Sequence, residues 1–210
     1  MKIKVCGITL PQQLQQLNDL PVDLAGLIFY KGSPRCVKDD TPTDFFQQDF
    51  NIKKVGVFVN AGYDEIMSIA DKYALDFVQL HGDESPLLCT QLSGNIKVIK
   101  AFRINQENES SIALLLQQYE NACDHFLFDT ASKKGFGGTG EKFNWNIFSS
   151  LAVNKPFLLS GGISADDAER VKQFTHPRFA GIDINSRFET SPGIKDMNMV
   201  KQFVSSIKEF

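Results

Sequence analysis

Residues 156–174 read PFLLSGGISADDAERVKQF. A short apolar run, Phe157-Leu158-Leu159, meets the glycine pair Gly161-Gly162, and a helical pattern then begins at Ala165. Ser164 followed three residues on by Asp167 resembles a capping box, with Asp in place of the usual Glu. The stretch therefore predicts a buried strand, a tight turn and a helix. Such a strand needs a parallel neighbour, because the helix carries the chain back to its starting edge.

The same grammar recurs along the chain. Apolar β-type runs occur at 3–6, 24–29, 54–58, 76–81, 97–102, 125–129, 156–160 and 179–184. Helical patterns lie between several of them: one opened by Pro11, then 61–74, 107–119, 165–174 and, at the end, 197–208. Proline at the first helical position costs no hydrogen bond. Eight strands with helical crossovers in 210 residues fit a closed (β/α)₈ barrel, a TIM barrel at the compact end of its size range. The rival is an open doubly wound sheet, which normally has fewer strands and a glycine-rich first turn. No linker or charge block marks a boundary, so residues 1–210 are expected to form a single domain.

Composition narrows the class. The net charge of −3 gives no electrostatic reason to expect a nucleic-acid partner. No run reaches the roughly 18 apolar residues of a membrane span, and residues 1–9 do not read as a signal peptide. The four cysteines, Cys6, Cys36, Cys89 and Cys123, are scattered, with no C-x-x-C pair and no histidine at zinc spacing. Neither a disulfide framework nor a metal is expected, and a cytoplasmic location fits. No long exposed apolar stripe stands out, so a monomer is expected.

In a (β/α)₈ barrel the active site lies at the C-terminal ends of the strands. Those ends carry Cys6 (strand one), Gln79 and His81 (strand four), Asp129 (strand six), the Gly161-Gly162 pair (strand seven), and Asp183, Asn185 and Ser186 (strand eight), with Arg35 in the turn after strand two. The glycine pair lets backbone N–H groups approach an anion at a helix start, and Asn185 and Ser186 add donors; the loops after strands seven and eight commonly hold phosphate. Cys6 and Asp129 suggest a base and an acid on opposite sides of the mouth. A base role requires a thiolate, which a nearby cation favours. Strand alternation puts Lys4 on the same face as Cys6, one layer deeper.

Taken together, KVCGIT, GLIFYKGSPRCV, VGVFVN, VQLHGDE, FDT…GGTGEKFNW, LSGGIS and GIDINSRFETSPGIKD resemble the phosphoribosylanthranilate isomerases of tryptophan biosynthesis, in order and over nearly the whole chain. The resemblance implies an Amadori rearrangement of a phosphorylated aminoaldose, with no cofactor and no metal. It implies Asp129 as general acid and Cys6 as general base. It also implies Arg35 on the anthranilate carboxylate, with Gln79, His81 and Asp183 lining the mouth. The GFGGTG stretch (135–140) is expected to cover the site. Two positions depart from the family pattern: Arg187 stands where glycine is common, and Cys36 where an aromatic residue is frequent. The alternatives are another sugar-phosphate barrel enzyme, whose strand-end lysines or metal-binding histidines are not seen here, and a non-catalytic sensor, which needs no acid–base pair.

Overall fold

A computed structural model describes residues 1–38, 41–104, 111–130, 145–149 and 151–208. Eight parallel strands close into a barrel in sequence order: β1 (Lys2–Cys6), β2 (Leu24–Ile28), β3 (Lys53–Phe58), β4 (Phe77–Leu80), β5 (Lys97–Ile104), β6 (His125–Thr130), β7 (Phe157–Leu159) and β8 (Phe179–Ile184). All eight expected strands are present, and the open-sheet alternative is excluded by the β1–β8 pairing.

The expected strand–helix alternation is less complete. The α-helices are α1 (Pro11–Asn18), α2 (Tyr63–Lys72), α3 (Pro86–Ser93), α4 (Ile112–Tyr119), α5 (Ala168–Gln173) and α6 (Met197–Ile207). Among the described residues no α-helix separates β2 from β3, where turns bury Val37, Phe46 and Ile52 instead. Between β6 and β7 only a 3-10 helix, Trp145–Ser149, is described. The helix expected over 165–174 begins as a 3-10 turn, Ala165–Asp167, before α5. Its capping box is formed: Asp167 Oδ2 accepts from the Ser164 backbone N–H at 2.8 Å and from its hydroxyl at 2.9 Å. The α3 helix, which the sequence reading did not delimit, is opened by Pro86 and capped by Ser85, whose Oγ accepts from Leu88 N–H. A two-stranded ribbon, β9 (Glu189–Ser191) and β10 (Ile194–Lys195), was likewise not anticipated.

The period-2 alternation of the strands sorts two cores. Outward residues such as Ile3, Val5, Leu27, Leu80, Phe126 and Ile182 join the layer between barrel and helices. Inward residues Leu24, Val55, Ile99, Ala101, Leu127 and Leu158 fill the barrel interior. Above them Cys6, Ile28 and Val57 form a smaller apolar layer with Tyr30 at its edge, just below the mouth. Most of the inward polar side chains lie where the series reaches the strand ends, with Lys4 one layer below.

Closure depends on one backbone approach. Gly181 pairs in register with Lys2, and a Cβ at position 181 would overlap the Lys2 carbonyl oxygen. Gly181→Ala is expected to destabilise the protein by more than about 4 kcal/mol in urea unfolding, because neither strand can yield. Gly62→Ala, at a position with open space before α2, should cost no more than about 1 kcal/mol.

Candidate active site

A cavity at the C-terminal end of the barrel is lined by Cys6, Arg35, Gln79, His81, Asp129, Gly161, Gly162, Asp183, Asn185 and Ser186, together with apolar Ile28, Val57, Val59 and Ile163. Every residue singled out at the strand ends thus faces one space. The GFGGTG stretch lies outside the described residues. Arg187 is exposed on a short 3-10 turn, Ser186–Phe188, and is not part of the lining. Its backbone does not need glycine, since among the described non-glycine residues φ is positive only at Asn60 and Ala74. Cys36 also lies outside the lining.

One wall of the cavity is built on β1 and β8. Lys4 and Asp183 are register partners, and Lys4 Nζ lies 3.0 Å from Asp183 Oδ1 with both side chains buried. Cys6 sits two residues above Lys4 and is 4% exposed. Burial pushes the Cys6 thiol above the usual range, and the neighbouring Lys4 cation pulls it back only in part. The expectation that a nearby cation favours the thiolate is therefore right in sign, but desolvation outweighs it. Burial likewise raises the Asp183 carboxyl despite the Lys4 ion pair. For Lys4, burial acts downward, but Asp183 and Cys6 more than reverse it and the ammonium is held above its ordinary value.

The opposite wall is a hydrogen-bonded chain. Gln79 Nε2 is 2.7 Å from His81 Nδ1, and His81 Nε2 is 3.2 Å from Asp129 Oδ2. Thr130 N–H donates to Asp129 Oδ1 at 2.8 Å. Two proton arrangements satisfy the chain. In one, Gln79 donates to Nδ1 and His81 Nε2–H donates to an ionised Asp129. In the other, the amide is turned over, Nδ1–H donates to Gln79 Oε1, and a protonated Asp129 donates to Nε2. Gln79 Oε1 is buried without a partner in the first arrangement and accepts from Nδ1–H in the second.

The loop carrying His81 is tied from behind. Glu84 accepts from Asn60 N–H at 2.8 Å and from Gly82 N–H at 3.0 Å, and pairs with buried Lys100 at 3.0 Å. Lys100 also donates to the Gly82 carbonyl at 2.8 Å. Lys100 points outward from the barrel, a position the sequence reading passed over because β5 reads as an ordinary apolar run.

On the rim, Gly161 and Gly162 both take positive φ, 86° and 68°. Arg35, which the resemblance puts on the substrate carboxylate, is 12% exposed and already engaged by Glu189. Glu189 and Lys195 were missed by sequence reasoning. The signal was present in Pro192-Gly193, a turn pair that brings residues on either side together as a hairpin. Among the described residues no group of three or more His, Cys, Asp or Glu is placed to hold a metal ion.

The β1 wall makes a signed prediction. Lys4→Met should move the Cys6 titration further up, and Asp183→Asn should move it down, because the first removes a cation and the second an anion. Alkylation rate at Cys6 against pH, read by peptide mass spectrometry, measures both. An unmoved midpoint in Lys4→Met would mean that Lys4 does not act on the thiol.

A family model described as N-(5'phosphoribosyl)anthranilate (PRA) isomerase matches residues 3–206. A protein of Parabacteroides distasonis named N-(5'-phosphoribosyl)anthranilate isomerase is 43% identical, over 99% of this chain and 93% of its own length. One of the same name from Phocaeicola vulgatus is 40% identical, over 100% of this chain and 98% of its own. A crystal structure of a phosphoribosyl anthranilate isomerase in complex with reduced 1-(o-carboxyphenylamino)-1-deoxyribulose 5-phosphate superposes with a TM-score of 0.80 at 26% identity, covering 100% of both chains. With matches of this identity running from end to end, the chain belongs to the N-(5'-phosphoribosyl)anthranilate isomerase family.

Proposed function

We propose that the barrel mouth converts N-(5-phosphoribosyl)anthranilate into 1-(2-carboxyphenylamino)-1-deoxyribulose 5-phosphate with Cys6 as general base and Asp129 as general acid. The chain is an isomerase of tryptophan biosynthesis by family; the assignment of residues to steps is our reading. The observation that carries it is a thiol and a carboxylate facing one cavity from opposite walls, each held by its own partner.

The steps follow from these positions. Asp129, in the arrangement where it holds the proton, delivers it to the furanose ring oxygen. The C1–O bond breaks as the anthranilate nitrogen lone pair forms C=N. Cys6, once it has released its own proton to solvent at the mouth and stands as thiolate above Lys4, takes the proton from C2; the C2–H electron pair forms C1=C2 as the C=N electrons return to nitrogen, giving an enolamine. Tautomerisation, with a proton added at C1 and lost from the C2 hydroxyl, yields the ketone. The sequence is redox-neutral within one molecule, so its electrons balance without a cofactor.

The remaining residues bind. Gly161, Gly162, Asn185 and Ser186 line the rim where backbone and amide N–H groups suit the 5-phosphate. Asn185 Oδ1 is taken by Lys195, which leaves its Nδ2 as the donor. Ile28, Val57 and Tyr30 suit the aromatic ring, and Arg35 its carboxylate. His81 and Gln79 position Asp129 and hold its proton, and Asp183 fixes Lys4 below Cys6.

We carry the same reading to a monomer in a reducing cytoplasm. In its support, all four cysteines are free, and among the described residues no helix is long and apolar enough to cross a membrane. A dimer would need to cover Leu87 on α3 and Leu114 and Leu115 on α4, which are exposed. Sedimentation equilibrium giving twice the chain mass would overturn the monomer.

Cys6→Ser and Asp129→Asn should each lower kcat by roughly 10²–10⁴ with the far-UV circular dichroism unchanged. Substrate generated in place, followed by its fluorescence, provides the assay; robust turnover by both variants would sink the acid–base assignment. Arg187→Gly should leave the affinity for a phosphate-bearing product analogue unchanged, since Arg187 is exposed and outside the cavity lining.

A further inference from the structure

The β9–β10 ribbon lies between β8 and α6, and Glu189 and Lys195 are partners across it. Their side chains are 4% and 0% exposed, and Lys195 Nζ lies 2.6 Å from Glu189 Oε1. The ribbon is pinned from outside. Gln13 donates to the Lys195 carbonyl at 2.9 Å and accepts from its N–H at 3.2 Å, while Thr9 Oγ1 donates to the Gly193 carbonyl at 2.8 Å.

From this fixed point the pair reaches two residues of the cavity lining. Glu189 accepts from Arg35 Nε at 2.9 and 3.0 Å and from Nη2 at 2.8 Å. Lys195 donates to Asn185 Oδ1 at 2.7 Å and to its carbonyl at 3.3 Å. Arg35 and Asn185 also meet across Gly7, whose φ is 78°: a Cβ there would lie 2.7 Å from Asn185 Oδ1 and 2.9 Å from Arg35 Cδ. Both side chains thus pack close over the turn that follows Cys6, in room that only a glycine leaves.

The charges do not cancel. Arg35 and Lys195 bring two cations to one carboxylate, in a place with little water. Arg35 lines the cavity, and its Nη1 has no hydrogen-bond partner among the described residues. The unmatched positive charge is therefore presented to whatever anion enters on that side. A long side chain already held in one geometry loses little further freedom on binding.

We infer that the Glu189–Lys195 ion pair is a positioning device for the substrate carboxylate, aiming Arg35 into the cavity while fixing Asn185 beside it. The inference rests on the reading of Arg35 as the carboxylate contact. Neither Glu189 nor Lys195 touches substrate in this scheme. They act through the fork of Arg35, whose planar shape makes orientation matter more than charge alone.

The test uses two ligands on the intact protein: reduced 1-(o-carboxyphenylamino)-1-deoxyribulose 5-phosphate and its counterpart lacking the carboxyl group, each titrated by calorimetry. Glu189→Gln should lose roughly tenfold or more in affinity for the carboxylate ligand, as expected for a misaligned charged hydrogen bond. The carboxyl-free ligand should bind about as well as it does to wild type. Added to Arg35→Met, Glu189→Gln should cost nothing more. The double variant Glu189→Gln/Lys195→Met removes both partners; because Lys195 also holds Asn185, it should weaken both ligands, but the carboxylate ligand by the same extra factor as Glu189→Gln. Equal losses for both ligands, or a further loss on top of Arg35→Met, would overturn the positioning role. If Arg35→Met itself failed to distinguish the two ligands, the carboxylate reading of Arg35 would fall and take the inference with it.

Discussion

The Lys4–Asp183 ion pair lies across the seam where the first and last strands close the barrel. The wall that carries Cys6 is arranged around it. Two charges enclosed in an apolar barrel are costly singly, and removing one partner of such a pair typically costs about 3–5 kcal/mol. The pair as a whole contributes little net stability by that measure. Its consequence is electrostatic: it places a cation one layer beneath Cys6 on the same face. Gly26 on the neighbouring strand leaves the room, since a Cβ there would lie 2.7 Å from Cys6 Sγ and 3.1 Å from Lys4 Nζ.

Burial still holds the Cys6 thiol above its ordinary range. A buried thiol is less open to side reactions than a thiolate. Across the cavity, the Gln79–His81–Asp129 chain admits two proton arrangements, related by turning over the Gln79 amide. The Asp129 carboxyl and the Cys6 thiol thus sit on separate supports. The β1–β8 seam serves one, and the β4 loop, anchored by Glu84 and Lys100, serves the other.

Much of this was legible in the sequence. The eight strands were readable because inward and outward residues alternate and because glycine and proline punctuate the runs. The ten candidate residues were readable because a barrel places its strand ends together, and all ten line one cavity. The helix count was not, because the 38–52 connection buries Phe46 and Ile52 through turns that have no helical period. Nor was the state of Arg35. An arginine in a Gly-Ser-Pro turn looks the same on the page whether it is solvated or held 2.8 Å from a glutamate 154 residues away.

Sequence alone determined the fold class, the strand ends and the residue types brought to them, since periodicity and turn chemistry are local properties. It also put Lys4 and Cys6 on one face, because strand alternation is local too. Only the tertiary structure decided which charges pair. Lys4 meets Asp183, Glu84 meets Lys100, and Glu189 is shared by Arg35 and Lys195. These partners are set by barrel closure and by the ribbon after β8. The strength of each contact depends on how much water that closure removes, and a linear chain does not record it.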